Sequence, residues 1–388
     1  MNRYIFLLLL LSLFFYCGNT PAVTTEQPKG NEPTVSRTVL SREQIVMSEQ
    51  LNDLFSGLNS KGLFNGNVLV AKAGKIIYRK SHGFLDKSNL TPLTDSSQFQ
   101  LASVSKVITA TAVLLLHERQ QLDINQPFST YFPDFPFASI KVRDLLDHRS
   151  GLQNYIYTLN KEINQPDYQM TNDEMYQAFI SRNCRLAQRP DTRFNYCNTN
   201  YALLALLVEK VGGKPFNVYL KEEIFQPLGM RHTCTIRDLN LASNNVTRAY
   251  DTRWRPVRFD ASDYVLGDKS VYSTTYDMFL FSEALYQNRI ISRATQDLAY
   301  KAYSREKRES NYGYGWRMHD FNDPDKKEVF HNGWWHGYRS AFHRRLKDTL
   351  TIVVLSNQLN SSTYQTYRIY DVIDKVSTTN PHTEEQDD

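Results

Sequence analysis

Phe99-Gln100-Leu101-Ala102-Ser103-Val104-Ser105-Lys106 leads without a break into the apolar run Val107–Leu116, and the reading of this stretch decides the fold. Ser103 and Lys106 are three residues apart, so a helix beginning at Ser103 stacks hydroxyl and ammonium one turn apart on one face. Val104, Val107, Ile108, Ala110, Ala112, Val113, Leu114, Leu115 and Leu116 cover nearly every side of that helix, the pattern of a helix inside a core. Two readings of its polar mouth stay open. In one, a partly desolvated Lys106 disfavours its charged form and takes a proton from Ser103. In the other, Ser103 is an N-cap and Lys106 snorkels to solvent.

Upstream, Asn67 to Ala71 and Ile76 to Arg79 are apolar runs joined by Lys72-Ala73-Gly74-Lys75, a hairpin by the turn rules. Ahead of them Ser41 and Gln44 form a capping-box signature for a helix carrying Met47, Leu51, Leu54, Phe55 and Leu58 and ending near Gly62. Downstream, Leu145 to Leu152 reads as a helix end closed by a turn at Gly151, with His148 stabilising that turn. From Leu152 to about Asp263 the pattern is helices and long loops. Within it Arg193 to Asn198 reads as extended, followed by Thr199 or Asn200 as cap and by Tyr201 to Val211 as an apolar helix stopped at Gly212-Gly213. Gly267 to Thr274 turns into a helix with Met278, Phe279, Phe281 and Leu285, which leaves Asp268 and Asp277 as turn and cap residues.

The last third returns to strands: Tyr312 to Met318, Val329 to Trp335, Tyr338 to Leu346 and Thr349 to Leu355, then a helix from about Ser362 to Val376. The reading is an α+β fold, an antiparallel sheet flanked by helices, with an inserted mainly helical domain. Residues 41–103 and 265–378 would form the sheet domain, 104–264 the helical one, and 379–388 a disordered tail.

At 388 residues, 41% hydrophobic and 22% charged, the chain is an ordinary globular protein of one large domain or two intimate ones, by the prior of ~100–200 residues per domain. A net charge of +4, dispersed, gives no footprint for nucleic acid. The 24 Tyr and 21 Phe favour sheet surfaces and an aromatic-lined cleft. Met1-Asn2-Arg3 and the apolar Tyr4 to Tyr16 read as an export signal over residues 1–17, its core shorter than the ~20 residues of a spanning helix. Cys17 sits where a bacterial lipoprotein signal places its lipidated cysteine, whereas Phe15 and Tyr16 are bulkier than the small residues usual before such a cysteine, and plain signal cleavage is the alternative. Either way the mature protein is exported, to the periplasm or attached to the envelope membrane through Cys17, behind a flexible tether at 18–40. A bridge between Cys184 and Cys197 is sterically conceivable around Pro190-Asp191, and free thiols at Cys184, Cys197 and Cys234 explain the same count.

Three short signatures arrive in order: Ser103-Val104-Ser105-Lys106, Tyr196-Cys197-Asn198 and His331-Asn332-Gly333. Together they resemble the serine β-lactamase and penicillin-binding-protein superfamily, nearest to its class C branch with carboxypeptidases, esterases and D-amino-acid peptidases. The resemblance extends over roughly residues 45 to 360 and takes in the Gly66–Gly83 hairpin, Leu145–Leu152, Gly267–Asp277 and Gly333–Gly337. Single motifs are weak here. Ser304 to Lys307 is a second serine-lysine match, read as surface, and Tyr286-Gln287-Asn288 a second tyrosine-asparagine match, read as incidental to a helix. No Gly-x-Ser-x-Gly or His-Glu-x-x-His motif exists, and His331, His336 and His343 show no metal-site spacing.

The resemblance implies Ser103 as nucleophile, Lys106 and Tyr196 as the proton-transfer pair, Asn198 as a hydrogen-bond partner of Lys106 or substrate, and His331 in the polar network where many relatives carry lysine. It implies an oxyanion hole from the backbone N–H groups of Ser103 and Trp334, with Asn332, Gly333 and Trp335 against the substrate. It needs no cofactor and no metal. The partner it implies is a small-molecule or peptide substrate, with no protein partner. The third motif departs from lactamases and carboxypeptidases, which usually carry Thr or Ser at Asn332 to help hold a carboxylate. Trp334 and Trp335 would narrow the cleft, and Arg339 is a candidate to replace the lost contact. The expected activity is an exported serine hydrolase working through an acyl-serine on a β-lactam, a D-amino-acid peptide or a small ester. The rivals are a catalytically idle relative that binds peptidoglycan fragments or a protein partner, and a structural envelope protein.

Overall fold

A computed structural model describes residues 39–165, 168–182, 185–304, 310–319, 323 and 327–379. The export segment with Cys17, the tether up to residue 38, Cys184, Lys307 and the tail from residue 380 lie outside them.

The first helix, α1 (Arg42–Ser60), starts at Ser41, whose side chain accepts from the Gln44 N–H while Gln44 bonds back to the Ser41 backbone. This reciprocal bond satisfies two of the N–H groups that a helix start leaves open. Its apolar face, Met47, Leu51, Phe55 and Leu58, is buried. Strands β1 (Gly66–Lys72) and β2 (Lys75–His82) follow, joined through Ala73 and Gly74, both at positive φ, the turn geometry that matches the twist of a two-residue hairpin.

The main sheet is completed from the far end of the chain by β3 (Ser310–Tyr312), β4 (Arg317–His319), β5 (Glu328–Trp335), β6 (Tyr338–Arg345) and β7 (Leu350–Ser356). Its seven strands run in the order β2-β1-β7-β6-β5-β4-β3, with β1 antiparallel to β7 from Gly66↔Ser356 to Ala71↔Thr351. The expected single strand from Tyr312 to Met318 is therefore two strands. Gly313 donates its N–H to the Trp316 carbonyl at 2.8 Å and turns the chain, and Gly315 follows at φ +83°.

Both faces of the sheet are covered. Val68, Val70, Ile352 and Val354 pack under α1 and the C-terminal helix α7 (Tyr367–Thr379), while Leu69, Ala71, Val353 and Leu355 face the larger core. That core holds α2 (Ser105–Glu118), α5 (Asn198–Gly212) and α6 (Thr275–Tyr286), together with α3 (Val142–Leu146) and α4 (Asn172–Ser181). Helix α6 is capped by Thr274, which accepts from the Asp277 N–H. From Leu40 onward the chain forms one compact unit. A small ribbon pairs Phe99–Gln100 with Val271–Ser273, and Val271–Ser273 with Cys234–Thr235. It fixes the approach to Ser103 and to the Asp268 loop together.

Two expectations need correction, for Ser304 and for the cap of α5, and one open alternative closes. Ser304 is buried rather than on the surface, because its hydroxyl bonds the Asn311 side chain and accepts from the Tyr312 N–H. Of the two cysteine readings, Cys197 fits the free thiol, buried in the core, while Cys184 lies outside the described residues. The cap of α5 is Cys197, not Thr199 or Asn200, and no side chain bonds there. Thr199 and Asn200 instead tie the helix start to the 148–155 loop: Thr199 Oγ1 accepts from the Tyr155 N–H and Asn200 Oδ1 from the Ser150 hydroxyl.

Candidate active site

The chain enters the site through a sharp strand-to-helix turn. After Gln100, Ala102 takes φ 48° and Ala102–Val104 forms a single 3₁₀ turn, from which α2 starts at Ser105. A non-glycine residue in the left-handed region costs roughly 1–2 kcal/mol, and here it tips the Ser103 hydroxyl into the cleft, whose lining includes Ser103. The N-cap reading of Ser103 does not hold, since no side chain caps the start of α2. Nor does Lys106 snorkel: it is fully buried. Its ammonium donates to Ser103 Oγ at 3.2 Å, Asn198 Oδ1 at 2.8 Å and the Asp268 carbonyl at 2.7 Å, which uses all three of its N–H groups. The Asp268 carboxylate does not face Ser103; it pairs with Lys269 at 2.9 Å and accepts from Tyr155 Oη at 3.2 Å.

Tyr196 lines the cleft with two cations over its ring, Lys106 Nζ 5.0 Å and Arg317 Cζ 5.3 Å from the centroid. The His148 ring backs it at 4.3 Å. His148 does more than stabilise a turn: its Nδ1 accepts from the Cys197 N–H and from Asn200 Nδ2, each at 3.2 Å, and its carbonyl accepts from the Asn195 N–H. It thereby fixes both ends of the tyrosine segment. Burial, and then the charges of Lys106, His331 and Arg317, hold the His148 imidazole well below its ordinary range, so it is neutral.

His331 is buried and does not reach Ser103 or Lys106. Its Nδ1–H donates to the Asn332 carbonyl at 2.7 Å, leaving Nε2 to accept from Tyr312 Oη at 3.1 Å. Burial first, then Arg317 and Lys106, push its pKa well down. A neutral imidazole therefore stands at the third signature, and the second cation beside Tyr196 comes from Arg317 on β4.

Gly333 decides how close the sheet comes to the nucleophile. A Cβ there would fall 2.3 Å from Ser340 Oγ, 2.4 Å from the Leu101 carbonyl and 3.0 Å from the Ser103 nitrogen. Only glycine lets β5 lie against the Ser103 turn, and Ser103, Gly333 and the following Trp334 all line the cleft. Trp334 is 60% exposed, whereas Trp335 is anchored by its Nε1–H to Asp263 Oδ1 at 2.9 Å. Arg339 does not itself line the cleft: it bonds the Asn360 carbonyl and covers the ring of Tyr364, which does. Arg317 lines the cleft instead. Sequence reading missed Arg317 because it sat inside a supposed continuous strand, where nothing marks which face looks at Tyr196.

The cleft encloses about 1100 Å³ beside Ser103, Tyr196, Asn198, Arg317 and Asn332, room for a peptide-sized ligand. Among the described residues one group has the spacing for a metal ion, Asp260, Asp263 and His336. Burial alone would lower His336, but hydrogen bonds to both carboxylates raise it to about 9. The group is thus an ion pair between the β5–β6 turn and the 260–263 loop.

A buried lysine bonded to a serine at the foot of a cleft, faced by a tyrosine and walled by an antiparallel strand, defines the β-lactamase-like class of serine hydrolases. The chain belongs to the Beta-lactamase family, whose model matches residues 51–376. It is 32% identical over 341 residues to penicillin-binding protein 4* of Bacillus subtilis, covering 82% of this chain and 73% of that one. Its fold is shared with D-amino acid amidase from Ochrobactrum anthropi (TM-score 0.70, 22% identity, 88% of this chain and 100% of that one). It is shared also with a class C β-lactamase (TM-score 0.71, 17% identity, 87% and 97%).

Proposed function

We propose that the protein is an exported hydrolase that cleaves an amide or ester through an acyl-Ser103 intermediate, with D-amino-acid peptides or amides as the favoured substrates. The observation that carries this is the Lys106 ammonium, bonded at once to Ser103, Asn198 and the Asp268 carbonyl. Ser103 Oγ attacks the carbonyl carbon, and its proton passes through Tyr196 to the leaving nitrogen or oxygen. Lys106 Nζ and Arg317 Cζ, 5.0 and 5.3 Å from the Tyr196 ring centroid, flank this proton path. Water then attacks the acyl-serine, its proton returns to Ser103, and the acid leaves. Arg317 gives the cleft a positive charge that suits a carboxylate on the leaving group, a feature of peptides that simple esters lack. The D-amino-acid preference is taken from the likeness to the amidase. Attachment to the envelope through a lipidated Cys17 is part of the same proposal.

The test is labelling of the purified protein with a fluorescent penicillin and, separately, with a serine-reactive phosphonate, alongside Ser103→Ala. Labelling by both, lost in Ser103→Ala, is the expected result. Labelling by neither would leave the idle, ligand-binding reading in its place.

A further inference from the structure

Alternation along β5 places Glu328, Phe330 and Asn332 on one face. His343 of β6, paired with Phe330, lies between them. Its Nδ1 bonds Glu328 Oε1, which also accepts from Tyr370 Oη of α7. Its Nε2 meets Asn332 Oδ1 at 3.0 Å. The ring is clamped by Phe330, stacked at 4.7 Å, with His319 of β4 stacked on the far side of Phe330 at 4.5 Å. The line Tyr370–Glu328–His343–Asn332 thus runs from the C-terminal helix to a residue of the cleft.

The donors and acceptors along this line follow from the partner at each ring nitrogen. Burial would raise Glu328, but the His343 charge and the bonds from His343 and Tyr370 more than offset it and hold the group below its ordinary range. A carboxylate only accepts, so Nδ1 carries a proton. A carboxamide oxygen also only accepts, so Nε2 carries one too. With Oδ1 occupied, the Asn332 NH₂ is the part of the side chain left for the cleft.

We propose that Glu328 and His343 are positioning residues that hold the Asn332 NH₂ toward the cleft, so that this position selects substrates offering a carboxylate or carbonyl oxygen. The substrate half rests on the acyl-enzyme reading; the orientation half does not. Loss of the Nε2 proton would set two lone pairs against each other. The carboxamide would then rotate, giving Nδ2–H to His343 and turning its oxygen to the cleft. The charged and titratable groups around the imidazole are Glu328 on β5, Tyr370 on α7 with Arg345 over its ring at 5.4 Å, His319 beyond Phe330, and His331 on the opposite face of β5.

The experiment reads the ¹⁵N resonances of His343, assigned against His343→Gln, in the full chain near neutral pH. Two protonated ring nitrogens are expected; a single protonated nitrogen would overturn the proposal whether or not the enzyme is active. Kinetics supply the substrate half. Glu328→Gln should raise KM roughly tenfold for a depsipeptide with a carboxylate on the leaving group, as for loss of a charge-assisted hydrogen bond. It should leave kcat unchanged, and KM unchanged for a counterpart whose leaving group carries no acceptor oxygen. An equal KM rise for both substrates would mean a merely structural role and overturn the assignment. If Glu328→Gln does not fold, the wild-type resonances decide.

Discussion

On the helix side of the cleft, Lys106 is fully buried and bonded to three oxygens drawn from α2, α5 and the Asp268 loop. On the strand side, Trp334 is 60% exposed and Arg317 lies across the faces of Tyr196 and Tyr312. The first wall is fixed by separate elements that each supply one partner, so no single loop motion frees the ammonium. The second is built by the neighbouring strands β4 and β5, from which Trp334 stands out of the core. Lys106 and its partners are thus tied to several elements at once, whereas Trp334 on the strand side is held by none of these contacts.

Gly333→Ala should break this division most, because it forces the strand wall into the nucleophile turn. A Cβ 2.4 Å from the Leu101 carbonyl must push the two apart, and a displacement near 1 Å costs about 10²-fold in rate. Phosphonate acylation rates, read with the melting temperature, check whether the loss is catalytic rather than a loss of fold.

A smaller effect separates the two arginines. Arg317→Ala should lower kcat/KM on the order of tenfold, within the range of a desolvated cation–π contact, whereas Arg339→Ala should leave it near wild type. Equal effects would show that the strand side acts as a whole rather than through the cation over Tyr196.

The smallest expected effect concerns the ion pair at the β5–β6 turn. His336 rises from 6.5 to about 9 on folding, so its pairing with Asp260 and Asp263 stabilises fully below about 6.5 and fades as pH passes 9. The melting temperature should fall between those limits in wild type, and His336→Gln should flatten the slope. An unchanged slope would place the titrating group elsewhere.

Much of the fold was legible. The capping box at Ser41 and the hairpin around Ala73-Gly74 depend on neighbours in sequence, and local chemistry was enough to find them. The division of Tyr312 to Met318 into two strands was missed, because Gly313 and Gly315 turn there against Ala299 and Ala110, residues far away in sequence. The cap of α5 was missed for the same reason: Thr199 and Asn200 have the right chemistry but are claimed by the 148–155 loop.

The sequence by itself determined the family, the order of the three signatures and the short-range pairing of Ser103 with Lys106, since these rest on residue type and spacing. Tertiary structure decided the rest. It made Lys106 a buried, saturated ammonium, made His331 a neutral partner of Tyr312, and brought Arg317 rather than Arg339 to the cleft. Each of these depends on burial and on partners far away along the chain, and a side chain's charge state is set by what surrounds it in space.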